Sequence, residues 1–176
     1  LSEIVLKNIS EGRLSFTTSL PEGVKNSEVV FICVGTPQSD TGDADLSAVW
    51  KVASEIGKNL DGYKVIVTKS TVPVGTNEKV KKVIKENLTY SVDFDIVSNP
   101  EFLREGYSVE DMQHPDRTVI GSDSERALSI MKSLYEHLGR PIVECDLKSA
   151  EMVKYASNAF LASKISFINE MAQICE

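Results

Sequence analysis

Val29 to Val34 (VVFICV) is an unbroken apolar run, and Val65 to Val67 and Phe94 to Val97 follow it as further short apolar segments. A strand that faces water on one side alternates apolar with polar residues. A continuous run reads instead as a strand buried on both faces, the habit of parallel sheets covered by helices. Helical spacing fills the gaps. Asp45, Leu46, Val49, Val52, Ala53, Ile56 and Leu60 lie on one helical face, with Asp45 placed as its N-cap. Thr76 to Asn87 is a basic amphipathic helix with Val80, Val83 and Ile84 on one side. Earlier in the chain, Leu14 to Thr18 reads as a short strand and Leu20 to Lys25 as a helical or turn segment. Later come a strand at Thr118 to Ile120, a helix from about Ser124 to Leu138, a strand at Ile142 and Val143, and a long helix from Leu147 to Cys175. Repeated strand, crossover, strand order predicts a doubly wound, mostly parallel α/β sheet.

The long helix spans ~40 Å at 1.5 Å per residue, a length that suits a spine between domains. The boundary is therefore drawn at residues 1–146 and 147–176. A formal charge of −7 argues against nonspecific nucleic-acid binding. VVFICV is far short of the ~20 apolar residues that cross a bilayer, and no basic-then-apolar signal segment opens the chain. No membrane association is expected. The three cysteines, Cys33, Cys145 and Cys175, contain no CxxC pair, so neither a metal site nor a disulfide framework is expected. Buried thiols in a reducing cytoplasm fit them best.

In open α/β sheets ligands bind beyond the carboxyl ends of the strands. Here VVFICV runs into Gly35-Thr36-Pro37, KVIVTK into Ser70-Thr71-Val72-Pro73-Val74-Gly75-Thr76, and DFDIVS into Asn99-Pro100-Glu101-Phe102-Leu103-Arg104-Glu105-Gly106. Each rim places a small hydroxylated or amide residue beside a proline, suited to a phosphate or ribose, although Gly, Pro, Ser and Thr also end strands as ordinary turn residues. On the long helix, Lys154, Asn158, Leu161, Ile165, Ile168, Ala172 and Cys175 share one stripe, and Val153, Ala156, Phe160, Phe167, Met171 and Ile174 a neighbouring one. Burial of those stripes is expected. Two readings of Lys154 and Asn158 stay open: paired donors for a developing oxyanion, or a snorkelling lysine beside a capping amide. His114 and His137 have no Ser or Cys partner and read as structural, and Trp50 as core packing.

VGTP at 34–37, STVPVGT at 70–76, NPEFLREG at 99–106, HPDRTVIG at 114–121 and AEMVKYASNAFLASKISFINEMAQICE at 150–176 together resemble the UDP-glucose 6-dehydrogenase family over nearly the whole chain. The resemblance implies a Rossmann-like cofactor domain followed by the start of a central helical, dimerising domain. It implies a two-step oxidation of a UDP-sugar's primary alcohol to a carboxylate with NAD. HPDRTVIG favours UDP-glucose; the alternatives are UDP-N-acetylmannosamine or GDP-mannose relatives, or a noncatalytic nucleotide-binding module. By the same resemblance, Thr36, Ser70, Thr71 and Val72 line the NAD site, and Thr71 holds the water of the last step. Glu101 is the general base of thioester hydrolysis, and Glu101, Phe102, Leu103, Arg104 and Glu105 wrap the sugar nucleotide. Glu105 also lies beside the nicotinamide, and Lys154 and Asn158 polarise the reacting oxygen. Desolvation at the strand end is expected to raise the proton affinity of Glu101. Arg104 is either a phosphate contact or half of a structural ion pair.

The family's opening strand with its GxGxxG turn, and its nucleophilic cysteine in a GGSCFPKD-like segment, have no counterpart here. LSEIVLKNISEGR reads as a later helix. The chain is therefore expected to be an internal fragment, poor at holding NAD and unable to complete the oxidation alone. Its long helix is expected to form a homodimer or higher homo-oligomer.

Overall fold

The computed structural model describes all 176 residues. Strands β1 (Val29–Ile32), β2 (Lys64–Thr68), β3 (Phe94–Ser98), β4 (Thr118–Gly121) and β5 (Ile142–Cys145) lie side by side in chain order. β1, β2 and β3 are parallel neighbours, as are β4 and β5. β3 and β4 meet antiparallel, with Ser98 opposite Gly121. The sheet is thus mostly parallel, as its apolar runs predict.

Helices α1 (Ser2–Ser10), α2 (Leu20–Lys25), α3 (Ser47–Asn59), α4 (Thr76–Glu86), α5 (Ser108–Gln113), α6 (Glu125–Tyr135) and α7 (Leu147–Cys175) complete the chain, with a short 3-10 turn at Glu136–Leu138. Adjacent side chains on a strand point to opposite faces, and β2 shows it. Ile66 joins Ile32 and Ile96 against Val49, Ala53 and Ile56 of α3 and Val80 and Ile84 of α4. Val65 and Val67 join Val97 and Ile120 against Ala127, Leu128 and Met131 of α6. Helices therefore cover both faces. Each fully buried Val or Ile contributes ~1.5–3 kcal/mol of transfer free energy, which fixes β2 and β3 as the rigid centre of the sheet. Trp50 packs partly buried against the first of these clusters.

Side-chain caps start three helices: Ser19 accepts from Glu22 N at 3.4 Å, Ser124 from Ala127 N at 3.2 Å and Asp146 from Ser149 N at 2.9 Å. The N-cap of α3 is Leu46, one residue past the expected Asp45, yet the Asp45 carboxylate still accepts from Ser47 N at 2.9 Å.

Four further expectations change. Leu14 to Thr18 form no strand: the segment finds no ladder partner and its Phe16 is exposed. Propensity without a pairing edge does not make a strand. β2 is buried throughout, but β1 pairs only with β2, and Phe31 on its open face is exposed. Cys33 and Cys175 are exposed rather than buried. The expected burial of the α7 stripes fails beyond the second turn, because nothing in the chain covers them; Phe160, Leu161, Ile165, Phe167 and Ile168 are exposed. Only Leu147, Ala150, Glu151 and Lys154 of α7 are buried. No helix is long and apolar enough to cross a membrane.

Candidate functional site

The carboxyl ends of β1, β2 and β3 converge, and side-chain hydroxyls sew the first two rims together. Ser70 Oγ donates to Val34 O at 2.6 Å and Thr36 Oγ1 donates to Thr71 O at 2.8 Å. The hydroxyls of Thr36 and Ser70 are thus spent on shaping the rim. Val72 is buried in the core beneath it, while Ser70 and Thr71 are half-buried. A Cβ built on Gly35 meets nothing within 4 Å, so the surface above this rim is open.

Asn99 anchors the third rim. It is buried, its Nδ2 donates to Val119 O at 2.8 Å, and its Oδ1 accepts from Tyr135 Oη at 2.6 Å and Lys69 Nζ at 3.2 Å. Burial, reinforced by the Cys33 thiolate charge, pushes the Tyr135 phenol up to about 12. Tyr135→Phe is expected to cost ~1 kcal/mol, the worth of one neutral hydrogen bond. A phenol held protonated in the fold but ionising near 10 when unfolded gives stability that falls as pH rises from 10 towards 12. Absorbance at 295 nm against pH, with and without the substitution, checks this: one tyrosinate step near pH 12 must disappear.

Past Asn99 a cavity of about 440 Å³ opens, lined by Lys69, Glu101, Phe102, His114 and Arg117 among others. Behind the wall residue Glu101, Lys154 Nζ lies 2.7 Å from Glu101 Oε1, though Lys154 itself does not line the cavity. The ammonium has 7% of its side chain exposed and also sits 5.5 Å from the centre of the Phe102 ring, whose other cationic neighbour is Arg117 at 4.9 Å. Glu101 Oε2 accepts from Leu103 N at 2.5 Å. Here the expected rise in the proton affinity of Glu101 is overturned. Burial does push its carboxyl up, but the Lys154 hydrogen bond, the Leu103 N–H and the charges of Lys154 and Lys69 together hold it below the usual range. Lys69 itself is pushed down by burial, against the opposing pull of Cys33 and Glu101. The resting site pairs an ionised carboxylate with the Lys154 ammonium, with the charge of Lys69 adding to the pull.

The other anticipated residues divide. Arg104 forms an ion pair with Asp111, donating through Nη2 at 2.6 Å and Nε at 3.1 Å, while its own N–H donates to the same carboxylate at 2.8 Å. That ties the Glu101–Gly106 loop to α5. Leu103 and Glu105 are exposed, and Glu105 does not line the cavity. Asn158, one turn beyond Lys154, is exposed and outside the lining. Glu101 and Lys154 are therefore brought together, and Glu105 and Asn158 are not. His114 borders the cavity and lies 3.9 Å from Glu110.

Sequence reasoning marked Asn99 only as a rim amide and passed over Lys69, Tyr135 and Glu151. Glu151 is 2% exposed and accepts three hydrogen bonds: from Gly75 N at 2.6 Å and from Asn77 N and Nδ2, both at 2.8 Å. A signal was present. Leu147, Ala150, Glu151 and Lys154 share one helical face, and an acid on a face that packs on a sheet calls for donors.

Residues 1–139 match the NAD binding domain of the UDP-glucose/GDP-mannose dehydrogenase family, and residues 148–176 its central domain. The chain belongs to the UDP-glucose/GDP-mannose dehydrogenase family. It is 49% identical over its whole length to the UDP-glucose 6-dehydrogenase TuaD of Bacillus subtilis, of which it spans 38%. A UDP-glucose dehydrogenase from the hyperthermophilic archaeon Pyrobaculum islandicum superimposes with a TM-score of 0.91 at 44% identity, over 94% of this chain and 39% of that one. A ternary complex of GDP-mannose dehydrogenase from Pseudomonas aeruginosa does so with 0.89 at 37%, over 94% and 39%. In this family member the sheet and the first turns of α7 bring Glu101 and Lys154 into contact. The chain spans about two fifths of the length of the relatives it matches.

Proposed function

We propose that these residues belong to an NAD-dependent UDP-glucose 6-dehydrogenase, which oxidises UDP-glucose to UDP-glucuronate in two steps. The contact that carries this reading is Lys154 on Glu101 at 2.7 Å, a buried ammonium held at the carboxyl rim of the sheet. Such a cation is fixed in advance where negative charge grows on a substrate oxygen. Glu101, already ionised, orients that ammonium and would accept a proton from the water that attacks the thioester left by the second oxidation, the carbon–sulfur bond breaking to release the carboxylate and the whole enzyme's thiol. The sewn rims at Thr36 and Ser70–Val72, open above Gly35, suit NAD, which when bound accepts the hydride. Thr71 stands at that rim as the residue proposed to hold the water. Phe102 and Leu103 would border the sugar nucleotide; Glu105 would reach it only after movement of the Glu101–Gly106 loop, and Asn158 only if the sugar nucleotide extends along α7. Residues 1–146 form the cofactor part of this scheme and 147–176 the start of its central part.

The exposed apolar stripe of α7 is proposed as a seam with a second copy, since an apolar patch of this kind marks an interface. Three free thiols suit the reducing cytoplasm. A GDP-mannose or UDP-N-acetylmannosamine dehydrogenase is the alternative, the former superimposing nearly as well, with a TM-score of 0.89.

The enzyme containing these residues is expected to form two NADH per UDP-glucose, and none above background with the other two sugar nucleotides. With Glu101→Gln, a burst of NADH comparable to the enzyme concentration should precede turnover slowed ~10²–10⁴-fold, the usual worth of a general base. Full turnover without a burst removes that role from Glu101.

A further inference from the structure

We propose that Glu151 is a positioning residue that sets the cofactor-side rim, Ser70–Gly75, at a fixed distance from the helical turn presenting Lys154. Three observations converge on it. Its carboxylate is buried at 2% exposure, and both oxygens are occupied: Oε2 by Gly75 N at 2.6 Å, Oε1 by Asn77 N and Nδ2 at 2.8 Å. The loop it grips is braced internally, because Pro73 O accepts from both Thr76 N at 3.1 Å and Thr76 Oγ1 at 2.6 Å. Gly75 closes that loop with a φ of 87°, a left-handed conformation that side chains resist. Three residues further along the same face of α7, Lys154 holds Glu101.

One helical turn therefore carries two buried ties of opposite charge. Glu151 grips the N-terminus of α4, where the rim that follows β2 ends at Gly75, and Lys154 reaches Glu101 just past the end of β3. Lys148 and Glu78 also join α7 to α4, at 2.9 Å, but both are more than half exposed, and an ion pair of that kind contributes little. The geometry assigns the coupling to the buried carboxylate. The inference rests on the reading that Ser70–Gly75 borders NAD.

The test uses the enzyme containing these residues and an NAD titration without sugar nucleotide, so that it stands whatever the substrate proves to be. Glu151→Asp keeps the charge and withdraws it by ~1.5 Å, one carbon–carbon bond. Glu151→Gln keeps the length and faces a donor with an amide. Both are expected to weaken NAD binding about tenfold or more, the loss of one charge-assisted hydrogen bond, and to lower kcat. UDP-glucose binding to the NAD-free enzyme should change less than about twofold, and Lys148→Ala should match the parent. A merely structural cap lowers the melting temperature only. Unchanged NAD affinity and kcat in folded Glu151→Asp and Glu151→Gln overturns the proposal. Should neither fold, Asn77→Ala, which deletes one donor from the other side, decides: weakened NAD binding supports the tie, and unchanged binding overturns it.

Discussion

Lys154→Ala is expected to lower kcat by ~10²–10³-fold, the usual cost of one preorganised donor at a developing oxyanion, while sugar-nucleotide affinity changes far less. The ammonium is buried, 2.7 Å from Glu101 and 5.5 Å from the centre of the Phe102 ring, so no solvent cation stands ready to replace it. Lys154→Arg should rescue poorly, because a planar fork does not reproduce a compact point charge in a confined site. The substitution also frees Glu101. With Lys154 gone, its carboxyl keeps only the Leu103 N–H and the more distant charge of Lys69 against burial, and its proton affinity rises. The sign follows. A carboxyl held low in the fold contributes stability above its unfolded titration range, and that contribution is lost as pH falls through the folded one. In Lys154→Ala the acid limb of the kcat profile should therefore move to higher pH. Steady-state rates across pH, beside equilibrium binding of UDP-glucose, provide the measurement. Equal losses in kcat and affinity would reduce Lys154 to a binding group.

Gly121→Ala is expected to destabilise the fold by ~3 kcal/mol, the upper end of ordinary overpacking, and to lower the melting temperature by ~10 °C for a chain of this size. A Cβ at this position would lie 2.5 Å from Ala150 Cβ and 2.7 Å from Asp146 O. Neither neighbour is the yielding end of a long side chain, so the first turn of α7 must lift from β4. That turn leads to Glu151 and Lys154, and turnover should fall along with stability. Gly62→Ala, where a Cβ meets nothing within 4 Å, serves as the reference and should lie within ~0.5 kcal/mol of the parent. Thermal melts of the two variants side by side settle it: an unshifted Gly121→Ala would mean that the helix does not depend on this close approach.

These two positions show what was readable in the chain beforehand. Burial periodicity located β2, β3 and α7 because a strand covered on both sides and a long helix each leave a strong pattern in the residues themselves. The same patterns placed Glu101 at a strand end and Lys154 on a helix face, while only the family resemblance gave them roles. The charge balance around Glu101 was not readable, since it depends on Lys69 and Lys154 arriving from β2 and α7 at one point. α5 escaped notice because the loop before it is held by the Arg104–Asp111 pair rather than by an apolar period. The reversal of β4 against β3 leaves no local trace at all, yet it brings Arg117 to the rim, where it stacks near Phe102. Glu105 and Asn158 carried family motifs, and neither motif could reveal that their side chains stand outside the cavity.

Because the buried residues of α7 are confined to its first two turns, any tilt of the helix against the sheet would pivot beside Lys154. The twenty or so residues beyond extend for ~30 Å at 1.5 Å each. A tilt of a few degrees about the fulcrum sweeps the far tip through ~3 Å over that span, whereas the ammonium, so near the pivot, hardly shifts. Any displacement imposed at the tip would therefore reach the charge only as a small fraction of itself.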